Sequence, residues 1–280
     1  MSPTSSFSAN PAKAAAERVF LGYTPVWGAV IGAVMLSGWA ERWGDLPLML
    51  LGLAAFGGLV LAIVRVAPFD ERSRPWYRRS GIAILAHLTL YSFLMNYFGT
   101  AYFYEVLHAH YGFATRWNVN HVPLFLYFVT VAYFATYYAL MTLGYRFLAR
   151  WLRRRSIWLF RVAVGLLPFA IALLESLLNA NPFMKSLYCF DDLRFGLWFG
   201  TLLYGAWLLM VMPFWIRLEE PEGDRGLSRA LIGALAAAML CICVAEGIKW
   251  RIAPQVTTVR YGHVGLRDYG PGVCLEPRRR

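Results

Sequence analysis

Apolar stretches close to the ~20 residues needed to cross a bilayer recur along the chain. They fall at about 22–40, 46–66, 80–107, 122–149, 156–179, 195–217 and 227–250. Short polar or basic stretches separate them. This pattern predicts an all-α polytopic integral membrane helical bundle of about seven transmembrane helices. A polar N-terminal segment (1–21) precedes the transmembrane domain (22–250), and a polar tail (251–280) follows it. Pro68 and Pro75 punctuate the second loop, Asn181-Pro182 closes the fifth span, and Glu219-Glu220-Pro221-Glu222-Gly223 marks a solvated turn before the seventh. No internal repeat is visible, which argues against a transporter built from inverted halves.

Composition agrees with this reading. The 280 residues are 59% hydrophobic and only 15% charged, which separates the chain from ordinary soluble domains. Phe, Tyr and Trp make up 16%, enough for aromatic belts at both membrane interfaces. The net charge of +11 does not point to nucleic acid. Its arginines cluster in short loops, Arg72, Arg74, Arg78 and Arg79, then Arg150, Arg153, Arg154 and Arg155, beside membrane helices, where they set topology and meet anionic lipid. They place the second, fourth and sixth loops and the N-terminus in the cytoplasm, and the basic tail opposite. The first residues lack the apolar core of a cleavable signal, so the first span is expected to direct insertion.

The polar residues inside the spans carry the functional signal, because each one costs a few kcal/mol at membrane depth. Alternation of the spans brings Asn96, Thr100, Tyr102 and Glu105 late in the third, Asn118, Asn120 and His121 at the start of the fourth, and Glu175 near the end of the fifth to one face. Glu246, Lys249, Asp191 and Asp192 approach the same face. In the third span, Asn96, Thr100 and Tyr104 share one helical stripe, and Tyr102 and Glu105 share the next.

Glu175, within IALLESLLNA, is the sharpest candidate. Apolar surroundings favour a neutral carboxyl able to donate a proton; the plainer alternative is an interfacial carboxylate reaching water. His121 can exchange protons at a span entrance, or simply satisfy local backbone, and Asn120 and Asn118 can serve as helix caps. His108 and His110 form a His-x-His pair too weak to indicate haem. Lys249 lies at a helix end, where a snorkelling lysine is commoner than a retinal Schiff base. The aromatic stripes of the fourth span read mainly as packing, with a further use as the lining of a flat apolar ligand or a cation. No C-x-x-C spacing exists, so no metal site is expected. Cys189 and Cys274 can pair, but all four cysteines are expected to be inert thiols.

Seven segments together resemble the cycloeucalenol cycloisomerase family. They are NPAK at Asn10–Lys13, YTPVW at Tyr23–Trp27, NYFGTAYFYEVL at Asn96–Leu107, NHVP at Asn120–Pro123, LES at Leu174–Ser176, PFWIRLEE at Pro213–Glu220, and LSRALIGALAAAML at Leu227–Leu240. They occur in family order over about nine-tenths of the chain. The resemblance implies a membrane isomerase that opens the 9β,19-cyclopropane ring of a sterol without a cofactor, by protonating C19 and removing the C8 proton. It implies Glu175 as the acid, His121 assisted by Asn120 as the base or relay, and Asn96, Thr100, Tyr102 and Glu105 as substrate-binding residues. Glu105, His121 and the tail depart from the family pattern. The expected partners are a membrane sterol and the bilayer. Arg-rich usage, with Lys at only three positions, suggests a bacterial inner membrane; in a eukaryote the family implies the endoplasmic reticulum. The rival functions are another sterol double-bond isomerase and a non-catalytic sterol-binding or transport protein.

Overall fold

A computed structural model describes residues 7–220, 226–253 and 274–275. Seven helices are long and apolar enough to cross a membrane: α1 Pro11–Leu36, α2 Asp45–Val66, α3 Ser80–Glu105, α4 Leu124–Leu152, α5 Ile157–Asn179, α6 Leu193–Arg217 and α7 Gly226–Ile252. The fold is an all-α polytopic bundle, as the hydropathy pattern predicts. The turn at Pro221–Gly223 and nearly all of the tail after Ala253 lie outside the described residues.

The most buried helix, α4, packs on α1, α2, α3, α5 and α6, while α7 lies against α3 and α6 on the far side. Close approach depends on glycine at several points, Gly52 and Gly205 among them. A Cβ on Gly52 of α2 would stand 2.6 Å from the Phe125 carbonyl oxygen of α4, and one on Gly205 of α6 would stand 2.3 Å from the Phe169 ring of α5. Small residues that let backbones approach are a recurrent means of joining helices in lipid, where no hydrophobic force drives them together. The outer faces carry exposed Val30, Leu53, Leu61, Leu166, Leu173 and Ile232, the positions that face acyl chains, and exposed Trp39, Trp76, Trp151 and Trp158 stand near the helix ends.

The first helix starts at Pro11, well before the span read from hydropathy, because its charges are satisfied inside the protein. The Asn10 side chain caps it by accepting from the Ala12 N–H at 3.0 Å, and Pro11 is preorganised for the first turn. Lys13 and Glu17 are fully buried. Lys13 Nζ meets Glu220 at 2.9 Å and donates to the Trp215 and Ile216 carbonyls. Arg146 of α4 donates two parallel bonds to Glu17, at 2.8 and 2.9 Å, and a third to Glu220. The NPAK and PFWIRLEE segments, far apart in sequence, therefore meet in one ion cluster at the basic end of the bundle. A buried pair is stable only when its hydrogen bonds are completed in this way.

On the opposite end the chain forms strands that the hydropathy pattern gives no sign of. β1 (Ala109–Tyr111) pairs antiparallel with β4 (Tyr188–Phe190), His110 standing opposite Cys189. β2 (Asn118–Val119) and β3 (Val122–Pro123) form a tight hairpin. Asn120 and His121 are its two central residues, with φ of 50° and 64°, the left-handed pair that a two-residue turn demands. Cys189 is bonded to Cys274 in a disulfide that ties the tail to β4. This corrects the expectation of inert thiols for that pair, whose reach across 85 residues only the folded ends reveal. Cys241 and Cys243 remain free.

Candidate functional site

The largest break in the regular pattern of α3 lies where the candidate residues begin. Met95–Gly99 forms a π-helical turn, an inserted residue that shifts the phase of everything after it and that recurs at functional sites. Met95, Asn96, Thr100 and Phe103 therefore face an internal cavity. Tyr104 leaves the stripe predicted for it, and its hydroxyl donates to the His121 carbonyl at 2.7 Å.

The cavity has a volume of about 170 Å3. It lies between α3, α4, α5 and α6, is roofed by Tyr111 and Tyr188 from the β1/β4 ladder, and ends at Ile31 and Met35 of α1. Its walls are mainly apolar and aromatic. Phe134, Tyr133, Phe103 and Trp207 present rings to it, and Tyr91 closes its far side. Polar groups stand at two places. On the α3/α4 wall the Asn96 amide donates to the Ser92 carbonyl at 2.8 Å and to Thr130 Oγ1 at 2.5 Å. Both Asn96 donors are used within the protein, which turns its carbonyl oxygen into the free hydrogen-bonding end.

On the α5 wall stands Glu175, beside the hydroxyls of Tyr204 and Tyr137. One of its carboxyl oxygens, Oε2, is buried without a hydrogen-bond partner among the described residues, and so is the Tyr137 hydroxyl. No basic side chain among the described residues forms an ion pair with it. An ionised carboxyl in such a place is costly, whereas a neutral one is tolerated. Above it, burial is the largest influence on the Tyr111 and Tyr188 phenols and holds both well above their ordinary range. They remain neutral hydroxyls.

The remaining candidates fall elsewhere. The Tyr102 hydroxyl donates to Glu246 Oε1 at 2.6 Å, and the Trp250 indole donates to the other Glu246 oxygen at 2.6 Å. Glu105 pairs with Lys249, whose ammonium also lies 5.7 Å from the centre of the Tyr102 ring. These residues fasten α3 to the last turns of α7, behind Trp207, which stacks edge-on against Tyr102 at 5.9 Å. Asn120 and His121 line a separate, open pocket above the cavity; Tyr111 and Phe113 border both. The Asn120 amide donates to the Tyr97 carbonyl in the π turn at 2.5 Å. The structure thus brings Glu175, Asn96 and Thr100 to one cavity, puts Asn120 and His121 on its roof, and sets Tyr102 and Glu105 in the α3–α7 fastening.

Thr130, Tyr133 and Tyr204 line the cavity and Tyr137 stands beside Glu175, and the sequence singles out none of the four. One signal was present: Tyr133 and Tyr137 are spaced i, i+4, so both point from α4 toward one neighbour. Nothing in the sequence connects them to Glu175 before α4 and α5 are placed side by side.

The chain is 32% identical over 259 residues to the cycloeucalenol cycloisomerase of Arabidopsis thaliana, covering 90% of each protein. It belongs to the cycloeucalenol cycloisomerase family. No family model and no solved structure matches it. The segments that resemble the family occupy structural keystones of the bundle: LES holds Glu175, NYFGTAYFYEVL includes most of the π turn, and NPAK meets PFWIRLEE in the ion cluster. YTPVW supplies Thr24 and Trp27, both hydrogen-bonded to Thr136 of α4, at 2.8 and 3.2 Å.

Proposed function

We propose that this protein is a membrane isomerase that opens the 9β,19-cyclopropane ring of a sterol. The observation that carries the reading is a carboxyl without a counter-charge, set in an aromatic cavity inside the membrane domain of a chain of this family. Glu175 delivers its proton to C19 as the C9–C19 bond breaks, which leaves a C19 methyl group and a cation at C9. Loss of the C8 proton to the carboxylate so formed gives the C8–C9 double bond and restores the acid, so atoms and charge balance over one turnover. Rings of Tyr133, Phe134, Phe103 and Trp207 stabilise the cation between the two steps. The carbonyl of Asn96, with Thr100, accepts from the substrate's hydroxyl. Asn120 and His121 form the rim through which the acid exchanges protons with water, and Tyr102 and Glu105 act at a distance by fixing α3 against α7.

Ligand sites for small molecules commonly enclose ~300–1,000 Å3. The resting cavity is below that range, so its wall must yield to admit a sterol. The wall proposed to yield is α5, one of the least buried helices, in which Pro168 removes a rung of the backbone ladder.

Membranes containing the protein, supplied with cycloeucalenol in deuterated water, should yield a product with a C8–C9 double bond and one deuteron in the C19 methyl. A non-catalytic sterol carrier would return the substrate unchanged, and an enzyme that moves only double bonds would leave the cyclopropane intact.

A further inference from the structure

The β1/β4 ladder has two faces with different chemistry. Tyr111, Tyr188 and Phe190 turn toward the Glu175 cavity and line it. Side chains alternate across a strand, so His110 of β1, Cys189 of β4 and Asp191, two residues beyond Cys189, belong to the opposite face. His110 and Cys189 oppose each other in the register, and Cys189 brings Cys274 to the same place through the disulfide. Four side chains of metal-ligating type, drawn from three segments of the chain, therefore meet there.

Their spacing is close to that of a bound metal. His110 Nε2 lies 2.9 Å from Asp191 Oδ2, and the Cys274 N–H donates to Asp191 Oδ1 at 3.3 Å. The ligand atoms of His110, Asp191 and Cys274 all fall within 4.8 Å of one another. A tetrahedral zinc with bonds of ~2.0–2.3 Å keeps its ligand atoms ~3.3–3.8 Å apart, so a shift of about 1 Å encloses the ion. The fourth position belongs to Cys189, whose sulfur is bonded to that of Cys274. In a disulfide neither sulfur is a thiolate, which is the form that ligates metal. Bond and metal are thus alternative states of one locus. Two thiolates, an imidazole and a carboxylate select zinc over magnesium or calcium, which take oxygen ligands.

We propose that the chain with Cys189 and Cys274 reduced holds one Zn2+ between Cys189, Cys274, His110 and Asp191. A dithiol opens the bond: two electrons and two protons pass to the sulfurs to give two thiols, and the dithiol itself closes to a disulfide. Zn2+ then displaces the two thiol protons. The His110 ring ligates through Nε2 with its proton on Nδ1, and Asp191 ligates through Oδ2 while Oδ1 keeps the Cys274 amide. The metal replaces the disulfide as the tie between the tail and β4, so the roof of the cavity stays fastened in both redox states. This site lies outside the Glu175 cavity and does not depend on the reaction proposed there.

The test uses Co2+ as a probe, because its visible spectrum reports tetrahedral geometry and its near-ultraviolet charge-transfer band reports thiolate ligation. The full chain in detergent micelles is reduced with dithiothreitol, desalted without oxygen and titrated, with circular dichroism read on the same samples. The reduced wild type should take up one equivalent with both signals, give it up to Zn2+, and stay helical; the oxidised protein should show neither signal. C189S/C274S should lose both signals. Even partners behind the ligands are typically worth ~10–100-fold in affinity, so reduced H110Q and D191N should each bind at least ~10-fold more weakly. C241S/C243S, which removes the two free cysteines, should match the wild type. Absence of the signals or loss of helix in the reduced wild type, undiminished signals in C189S/C274S, or wild-type affinity in both H110Q and D191N would overturn the proposal. Should C189S/C274S fail to fold, H110Q and D191N, with every thiol intact, decide the matter.

Discussion

Glu175 and its neighbours make separable predictions. Glu175→Gln keeps the shape and removes the acid, so turnover should fall by about 10²–10⁴-fold, the span of a general acid's contribution, while sterol still binds. Radiolabelled sterol binding beside product formation distinguishes this from misfolding. Glu175→Leu removes a buried polar group that has an unpaired oxygen, so the variant should lose activity yet melt no lower than the wild type. Burial is the largest influence on His108 and holds its imidazole below the ordinary range. A base whose folded value is depressed binds more protons when unfolded, so its contribution to stability is present above the unfolded value and is lost as pH falls. His108→Phe should accordingly flatten the loss of thermal stability between about pH 7 and 5, measured by a melting series, relative to the wild type.

At the scale of elements, the helices were legible because long apolar runs admit few structures in lipid, and what was hidden has physical causes. Hydropathy counts Lys13 and Glu17 as polar wherever they are, so it cannot see that Arg146 and Glu220 make them part of α1. The π turn at Met95–Gly99 leaves composition unchanged and alters only phase, which is why Tyr104 was placed on the wrong stripe. Asn120 and His121 read as polar entrants to a span, while their positive φ shows a hairpin turn. Of the site, the residues with an energetic cost, Glu175 and Asn96, were visible; the tyrosines around Glu175 look like any packed ring. Two predictions belong here. Deleting Phe98 removes the inserted residue and leaves Thr100 and Phe103 facing the cavity on an ordinary α-helix, but it closes the wide turn whose Tyr97 carbonyl accepts from the Asn120 amide, so the variant should fold, as read by size-exclusion and circular dichroism, with lowered turnover. Arg146→Met strands the Glu17 carboxylate, and breaking a buried pair costs about 3–5 kcal/mol, so the variant should show a markedly lower melting temperature.

Over the whole molecule, the two ends of the bundle have different work. The basic end is held by the Lys13, Glu17, Arg146 and Glu220 cluster and carries most of the loop arginines. The other end carries the strands, the roof of the cavity and the Cys189–Cys274 disulfide. Disulfides persist on the oxidising side of a membrane, and the loop arginines gather at the other end of the bundle. The central claim is that Glu175 gives the proton that opens a cyclopropane ring. Its most direct test is incubation of wild-type and Glu175→Gln membranes with cycloeucalenol in deuterated water, followed by mass spectrometry of the product. The account predicts one deuteron in the C19 methyl with the wild type and no product with the variant; unlabelled product, or full turnover by Glu175→Gln, would contradict it.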